Sequence, residues 1–454
     1  MFMMQEALPK LNEFVDLLKL NAARKGLAIR MIMAFIVHRG RMSASQAAGA
    51  VRAEPRHRAQ LTRFLSRKFW EGVEILSTLR SAVLVLSAPQ GTYLFIVDQT
   101  YCSQQGKRAE NTFRMGAKSS KKKAKKKRKS GYTLAQRQCH CFVMGLLITP
   151  RGIRIPFVKH YYTKDYCQQK KLTYRRQTEL AADMIRELPL ATGADVVVLG
   201  DTAFDAAFIQ SACAERQYDW IVPMNPERVL AGPKPRPQVW SLASEFSADQ
   251  FTPVRLHPGS GEFAAQRRAS QYRVGPKAKP RTFYVHQERR EVHSVGRVRL
   301  VFSTKTRPQR GQTVDVQKIL MTNDQTRAVA KIVELYDLRW KIELFFKELK
   351  STLGFHHYRF RQFERVEKWV EFALAAFLYL EWYRGTQLRR RDLTRQQRRW
   401  WERQRTYGLC HAIRHLAECN EIRLLAKRLR TARGVHKILQ LLENACQKEY
   451  RMPM

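Results

Sequence analysis

Acidic residues are scarce in this chain: 39 Asp and Glu stand against 83 Lys and Arg, a formal net charge of +44 over 454 residues. So large an excess repels itself unless a polyanion neutralises it. Nucleic acid is the partner that fits, through phosphate contacts that release counterions and make binding salt-dependent. Paired cysteine motifs are also missing, since the eight Cys include no CxxC. Cys139-His140-Cys141 is the one cluster, and strand alternation would send both thiols to one face and the imidazole to the other. Reduced core thiols in a cytosolic protein are preferred there over a zinc site. Long hydrophobic runs are absent too. The longest, Trp369 to Tyr383, is interrupted by Glu371 and Glu381 and is too short for a bilayer span of ~20 residues. Met1-Phe-Met-Met-Gln-Glu6 shows no basic-then-apolar leader. The expectation is a soluble cytoplasmic protein with no membrane role, associated with the nucleoid when bound to DNA. No GxxxxGK phosphate loop occurs, so no nucleotide cofactor is implied.

What is present points to a globular protein of two to four domains, with 44% hydrophobic and 10% aromatic residues. Residues 1–88 read as helical. Ser43 to Val51 reads as a short helix, and the segment after Pro55 reads as a basic helix with Arg56, Arg58, Arg63 and Arg67. That order fits a helix-turn-helix reader of DNA and equally a helical bundle with a solvated basic face. Residues 89–222 change to strands: a run ending at Asp98, then Cys139 to Ile148, then Arg154 to Tyr162. A helix over about 168–188, a strand leading to Asp201 and a helix over 203–215 follow. The loop 117–131 holds Lys121, Lys122, Lys123, Lys125, Lys126 and Lys127. Like charges this dense cannot pack, and gripping DNA without sequence preference is favoured over simple solvation. Residues 223–314 open on a Pro-rich break and continue as β-type runs. Residues 315–355 supply Lys318 to Thr322 as the fifth core strand, and then a helix. Residues 356–454 are helical and basic, with an apolar helix, Val370 to Leu380, expected to pack on the core or on a second subunit.

The densest chemistry lies in Tyr336, Arg339, Glu343 and Lys350, spaced Y-x2-R-x3-E-x6-K. At ~100° per helical residue the four fall within about 60° of one another. Leu338, Ile342, Phe345 and Leu349 take the opposite side and should be buried. A carboxylate can hold a metal ion, and Arg and Lys beside it can hold phosphate. The bland alternatives are that the two cations pair with local acids such as Glu334 or Glu348, and that Tyr336 packs at the core edge.

This pattern resembles the YREK signature of bacterial insertion-sequence transposases, the cut-and-paste branch of the DDE class. Glu343 matches the family's third carboxylate, and Asp98 and Asp201 fit the first two. The segment Thr202-Ala-Phe-Asp205 resembles the family's sequence after its second Asp. The resemblance covers roughly residues 90–355. It implies an α/β fold: an RNase H-like core with a mixed five-stranded sheet, interrupted by a mainly β insertion and flanked by helical regions. It implies that Asp98, Asp201 and Glu343 bind two Mg²⁺ ions (Mn²⁺ as a substitute), and that Tyr336, Arg339 and Lys350 contact phosphates. It also implies terminal-repeat binding, end cleavage, 3′-OH joining to target DNA, and a homodimer in the complex that holds both ends. Related enzymes stack a flipped base on an aromatic of the insertion. Trp240 is the only Trp there and its surroundings depart from the family's, so no hairpin step is assigned. A stand-alone nuclease and an inactive DNA-binding relative are the rival readings.

Overall fold

The computed structural model describes residues 6–38, 40, 42, 46, 63–87, 90–104, 108–115, 137–257, 262–269, 280–431, 437 and 440. The basic loop with Lys121 to Lys127, and most of the proposed helix-turn-helix, lie outside the described residues. The chain divides into two compact units, residues 87–345 and residues 1–86 with 346–454.

The first unit is a mixed α/β layer built on one sheet. Its strands are β1 (Tyr93–Gln104), β2 (Phe113–Met115), β3 (Arg137–Ile148), β4 (Arg154–His160), β5 (Val196–Leu199), β6 (Asp219–Pro223), β7 (Thr252–Leu256), β8 (Arg281–Val292), β9 (Gly296–Thr304) and β10 (Lys318–Thr322). The order is β2-β3-β1-β5-β6-β10-β9-β8-β7, with β4 also on β3. β1, β3 and β4 are antiparallel, whereas β5 lies parallel to β1 and β6 parallel to β5. Tyr93 to Ile96 and Val196 to Leu199 are fully or almost fully buried. Such continuous apolar runs are what parallel strands covered on both faces require.

Three expectations are corrected here. The sheet has ten strands instead of five, because β7, β8 and β9 of the expected insertion extend the same sheet through β10. The strand beside β5 is β6, and Lys318–Thr322 lies one place further out. The helix expected over 168–188 is two helices, Lys164–Lys170 and Gln177–Arg186. Lys171 separates them in the left-handed conformation (φ 54°), which stops the first.

Packing across the sheet is tight at Gly145, which pairs with Val97. A Cβ there would press into the Phe95 ring, with Phe157 Cβ only 3.3 Å away. Phe95 and Phe157 already meet edge to face at 5.5 Å. Gly145→Ala is therefore expected to destabilise the unit by roughly 1–3 kcal/mol. A thermal melt matching that of the unaltered protein would show that the ring has room to move.

The second unit is helical: α1 (Ala7–Asp16), α2 (Ala22–Val37), α3 (Ile75–Leu84), then α10 (Phe363–Arg389), α11 (Arg395–Arg403) and α12 (Thr406–Thr431). Its axis is α10, which is apolar on nearly all sides and buried accordingly. The apolar stretch Val370 to Leu380 packs inside this unit, on helices from the N-terminal 86 residues. Phe372 meets Phe64 and Trp70, Trp369 meets Phe35, and Tyr379 meets Phe14. No described helix is long and apolar enough to cross a membrane.

Candidate active site

Two carboxylates reach the site on neighbouring strands. β1 and β5 run parallel with Ile96 opposite Leu199. Asp98 and Asp201 each lie two residues further on, so the register sets them at one level. Asp98 does not end its strand as expected: β1 continues to Gln104, and Asp98 pairs with Met144 of β3. Its Oδ1 accepts the Gln99 amide at 2.7 Å. Asp201 leaves β5 and caps the 3₁₀ turn Thr202–Phe204, where its Oδ1 accepts the Ala203 amide at 2.9 Å.

The loop beyond Asp201 is anchored by Asp205, whose side chain is 0% exposed. Its oxygens accept from Arg228 Nη2 at 2.8 Å, from the Asn225 amide at 2.9 Å and from Gln210 Nε2 at 3.2 Å. A buried carboxylate needs this many donors to offset its desolvation. The clamp ties the loop after β5 to the loop after β6.

The third carboxylate comes from the far end of the unit. Helix α8 (Val329–Asp337) passes through a 3₁₀ turn, Leu338–Trp340, into α9 (Lys341–Ser351). Leu338, Ile342, Phe345 and Leu349 are buried at 0–1% exposure, the stripe their spacing requires. Tyr336 stands in the last turn of α8, Arg339 in the 3₁₀ turn, Glu343 in the first turn of α9 and Lys350 in its last. The junction is pinned by Arg267 of the short helix α7 (Ala264–Arg268), which pairs with Glu334 at 2.8 Å and Asp337 at 3.2 Å. Lys341 donates to the Arg267 carbonyl, and Arg281 also pairs with Asp337.

Arg339 joins the elements. Its Nη2 lies 2.5 Å from Glu343 Oε1 and its Nη1 3.4 Å from Asp98 Oδ2. Burial, with Asp201 and Glu343 nearby, pushes the Asp98 carboxyl up to about 6, while the Gln99 amide and Arg339 pull the other way. Asp98 therefore senses the charge of both Asp201 and Glu343. Three carboxylates are hard oxygen donors of the kind that suits Mg²⁺. Among the described residues, however, no three His, Cys, Asp or Glu side chains are grouped closely enough to hold an ion as they stand.

Beside Arg339 opens a cleft of about 340 Å³, lined among others by Arg281, Phe283, Lys318, Tyr336 and Trp340. Lys318 Nζ sits 5.0 Å from the centre of the Tyr336 ring. Burial pushes the Tyr336 hydroxyl up to about 12 and pulls Lys318 down. Trp340 is 56% exposed, unusual for so large an apolar side chain. Lys318, Phe283 and Trp340 were not singled out from the sequence. Their signal, a cation and aromatics on separate elements, appears only once β8 and β10 lie beside α8. Trp240 does not line this cleft. Cys139-His140-Cys141 lies inside β3, where His140 Nε2 is 2.8 Å from the Glu110 carbonyl and burial pulls its ring down to about 4.

A comparison of the chain with curated proteins gave no match. A family model described as DDE superfamily endonuclease matches residues 13–244, a little over half the chain, and spans Asp98 and Asp201. The basic composition, the carboxylates at one level on β1 and just past β5, and this match agree: the chain belongs to the DDE superfamily endonucleases, nuclease and transposase-type enzymes that act on DNA.

Proposed function

We propose that this protein is a DNA transposase of the YREK branch, with an RNase H-like core in which Asp98, Asp201 and Glu343 hold divalent metal. The observation that supports the reading is the setting of Asp98, which feels the charge of Asp201 and Glu343. Asp98 on β1 and Asp201, just past the end of the parallel strand β5, lie level by register, and Arg339 links Asp98 to Glu343. The order β4-β3-β1-β5-β6 supports the core assignment.

The residues divide the work. Asp98 from β1, Asp201 from the turn after β5 and Glu343 from α9 would hold the metal that meets the reacting phosphate. Bound among them, Mg²⁺ supplies the positive charge that an attacked phosphodiester needs. Tyr336, Arg339 and Lys350 orient the strand near the cut, Arg339 by its two-pronged grip on phosphate. Water attacks phosphorus and the bond to the 3′ oxygen breaks; the freed 3′-hydroxyl then attacks a phosphate of target DNA, whose own bond to its 3′ oxygen breaks to release a target 3′-hydroxyl. The basic run with Lys121 to Lys127 adds sequence-indifferent contact, and residues 1–88 read the terminal repeats. Two ends require two copies of the chain, and the reaction belongs to the cytoplasmic nucleoid.

Purified protein, Mg²⁺ and a plasmid carrying the element's flanking ends provide the test. Breaks confined to the element boundaries, absent without metal and absent with Glu343→Gln, are the expected result. Scattered, sequence-indifferent nicks point to a plain nuclease, and firm end binding without breaks points to a relative that has lost its chemistry.

A further inference from the structure

We infer that Arg339 is the resident cation of the DNA-free site: it occupies the space between Asp98 and Glu343 and opposes metal loading until a DNA phosphate draws it away. The inference rests on the reading of Asp98, Asp201 and Glu343 as the metal-holding set, and adds a form of regulation to it.

The geometry leaves little room for both cations. The guanidinium reaches Glu343 at 2.5 Å and Asp98 at 3.4 Å, and the Arg339 and Asp98 side chains are only 16% and 13% exposed. A divalent ion bound to both carboxylates would need the same oxygens. It would also meet a like charge a few ångströms away, where screening by water is weak. With Arg339 between them, Asp98 and Glu343 do not belong to a ready ligand group among the described residues.

Arg339 also has somewhere to go. It lines the 340 Å³ cleft together with Lys318, Arg281 and Tyr336. A phosphate entering that cleft meets cations on β8 and β10 and offers Arg339 a paired acceptor in exchange for the two carboxylates. Turning toward it, Arg339 frees Asp98 and Glu343. Metal and DNA affinities are then linked, and by reciprocity each raises the other by the same factor. A nuclease built this way keeps metal out of its site while no DNA is present.

Mn²⁺ binding to the full chain, followed by the loss of its free-ion paramagnetic resonance signal, provides the test. Without DNA, Arg339→Gln is expected to bind Mn²⁺ about tenfold more tightly than the unaltered protein. Arg339→Lys, which keeps the charge, should stay close to the unaltered protein. A random-sequence duplex should tighten Mn²⁺ binding by the unaltered protein and leave Arg339→Gln unchanged. Equal Mn²⁺ affinity for the Gln variant and the unaltered protein overturns the inference. So does a Lys variant as tight as Gln, since lost packing would then be the cause. If instead no form binds Mn²⁺, with or without duplex, the metal-site reading itself falls. Melting of each variant in EDTA checks that it is folded.

Discussion

Asp98→Asn is expected to yield a protein that melts higher than the unaltered one and cuts no DNA. Burial raises the Asp98 carboxyl from 3.8 to about 6, so the folded state binds this proton more tightly than the unfolded state. The sign follows. Ionising Asp98 costs nothing extra below pH ~4, where both states carry the proton, and the cost is complete above pH ~6. A shift of about two units corresponds to roughly 3 kcal/mol, an upper bound because water and Arg339 both relax around the charge. Asparagine keeps the shape and still accepts the Gln99 amide, while it gives up the long contact to Arg339 at 3.4 Å. Melts in EDTA at pH 7.5 should therefore favour the variant by a few degrees, and the advantage should shrink to nothing near pH 4. A neutral amide is a poor metal ligand, so on the proposed reading DNA cleavage should fall to background. A variant that melts lower at pH 7.5 would falsify the electrostatic account, and one that still cuts would remove Asp98 from the chemistry.

Asp205→Ala is expected to have the largest effect on stability. The carboxylate is fully buried, and its donors Arg228, Asn225 and Gln210 are half-buried around it. Removing one partner of such a pair leaves the other buried and uncompensated, which costs about 3–5 kcal/mol. With two compact units the chain is expected to unfold in more than one step, so the readout is the transition of the β-rich unit in urea. Cutting should fall as well, because Asp201 stands four residues upstream on the same turn. A loss below about 1 kcal/mol would show that the clamp is replaceable by solvent. Asp205→Asn, which keeps the shape and part of the bonding, should fall between the two proteins.

Asp201 was legible because Val196-Val-Val-Leu-Gly leaves only one reading: a buried strand that must end in a turn. Asp98 was legible as a residue but misplaced within its strand. Gln99 to Gln104 look like a loop by composition, yet the whole stretch is paired with β3. Backbone pairing with a partner about 40 residues away decided the matter, and local hydrophobicity does not report it. β6 was missed for a related reason: Asp219-Trp-Ile-Val-Pro223 is short, and its proline reads as a break. In the sheet that proline is the last residue, opposite Leu320. The continuity of β7 to β10 with the core had no local signal either, since a hydrophobic strand does not announce its neighbour. The four-residue signature gave the buried back, Leu338, Ile342, Phe345 and Leu349, but not the 3₁₀ turn Leu338–Trp340 that interrupts the single helix expected there. It could not reveal that Arg339 would cross to Asp98, 241 residues away in the chain.

That separation has a consequence for how the protein is made. β1 and β5 can pair while the chain is still emerging from the ribosome, but Glu343 and the turn bearing Arg339 are synthesised last in this unit. Contacts so distant in sequence form slowly and late. A nascent or prematurely ended chain carries two of the three carboxylates on a partial sheet whose β6 edge still lacks β10. It has neither the third acid nor its arginine. A chain of this kind can attract nucleic acid through its positive charge long before it can break a strand. On the proposed reading, the cell meets a binder first and a cutter only when synthesis has passed residue 343.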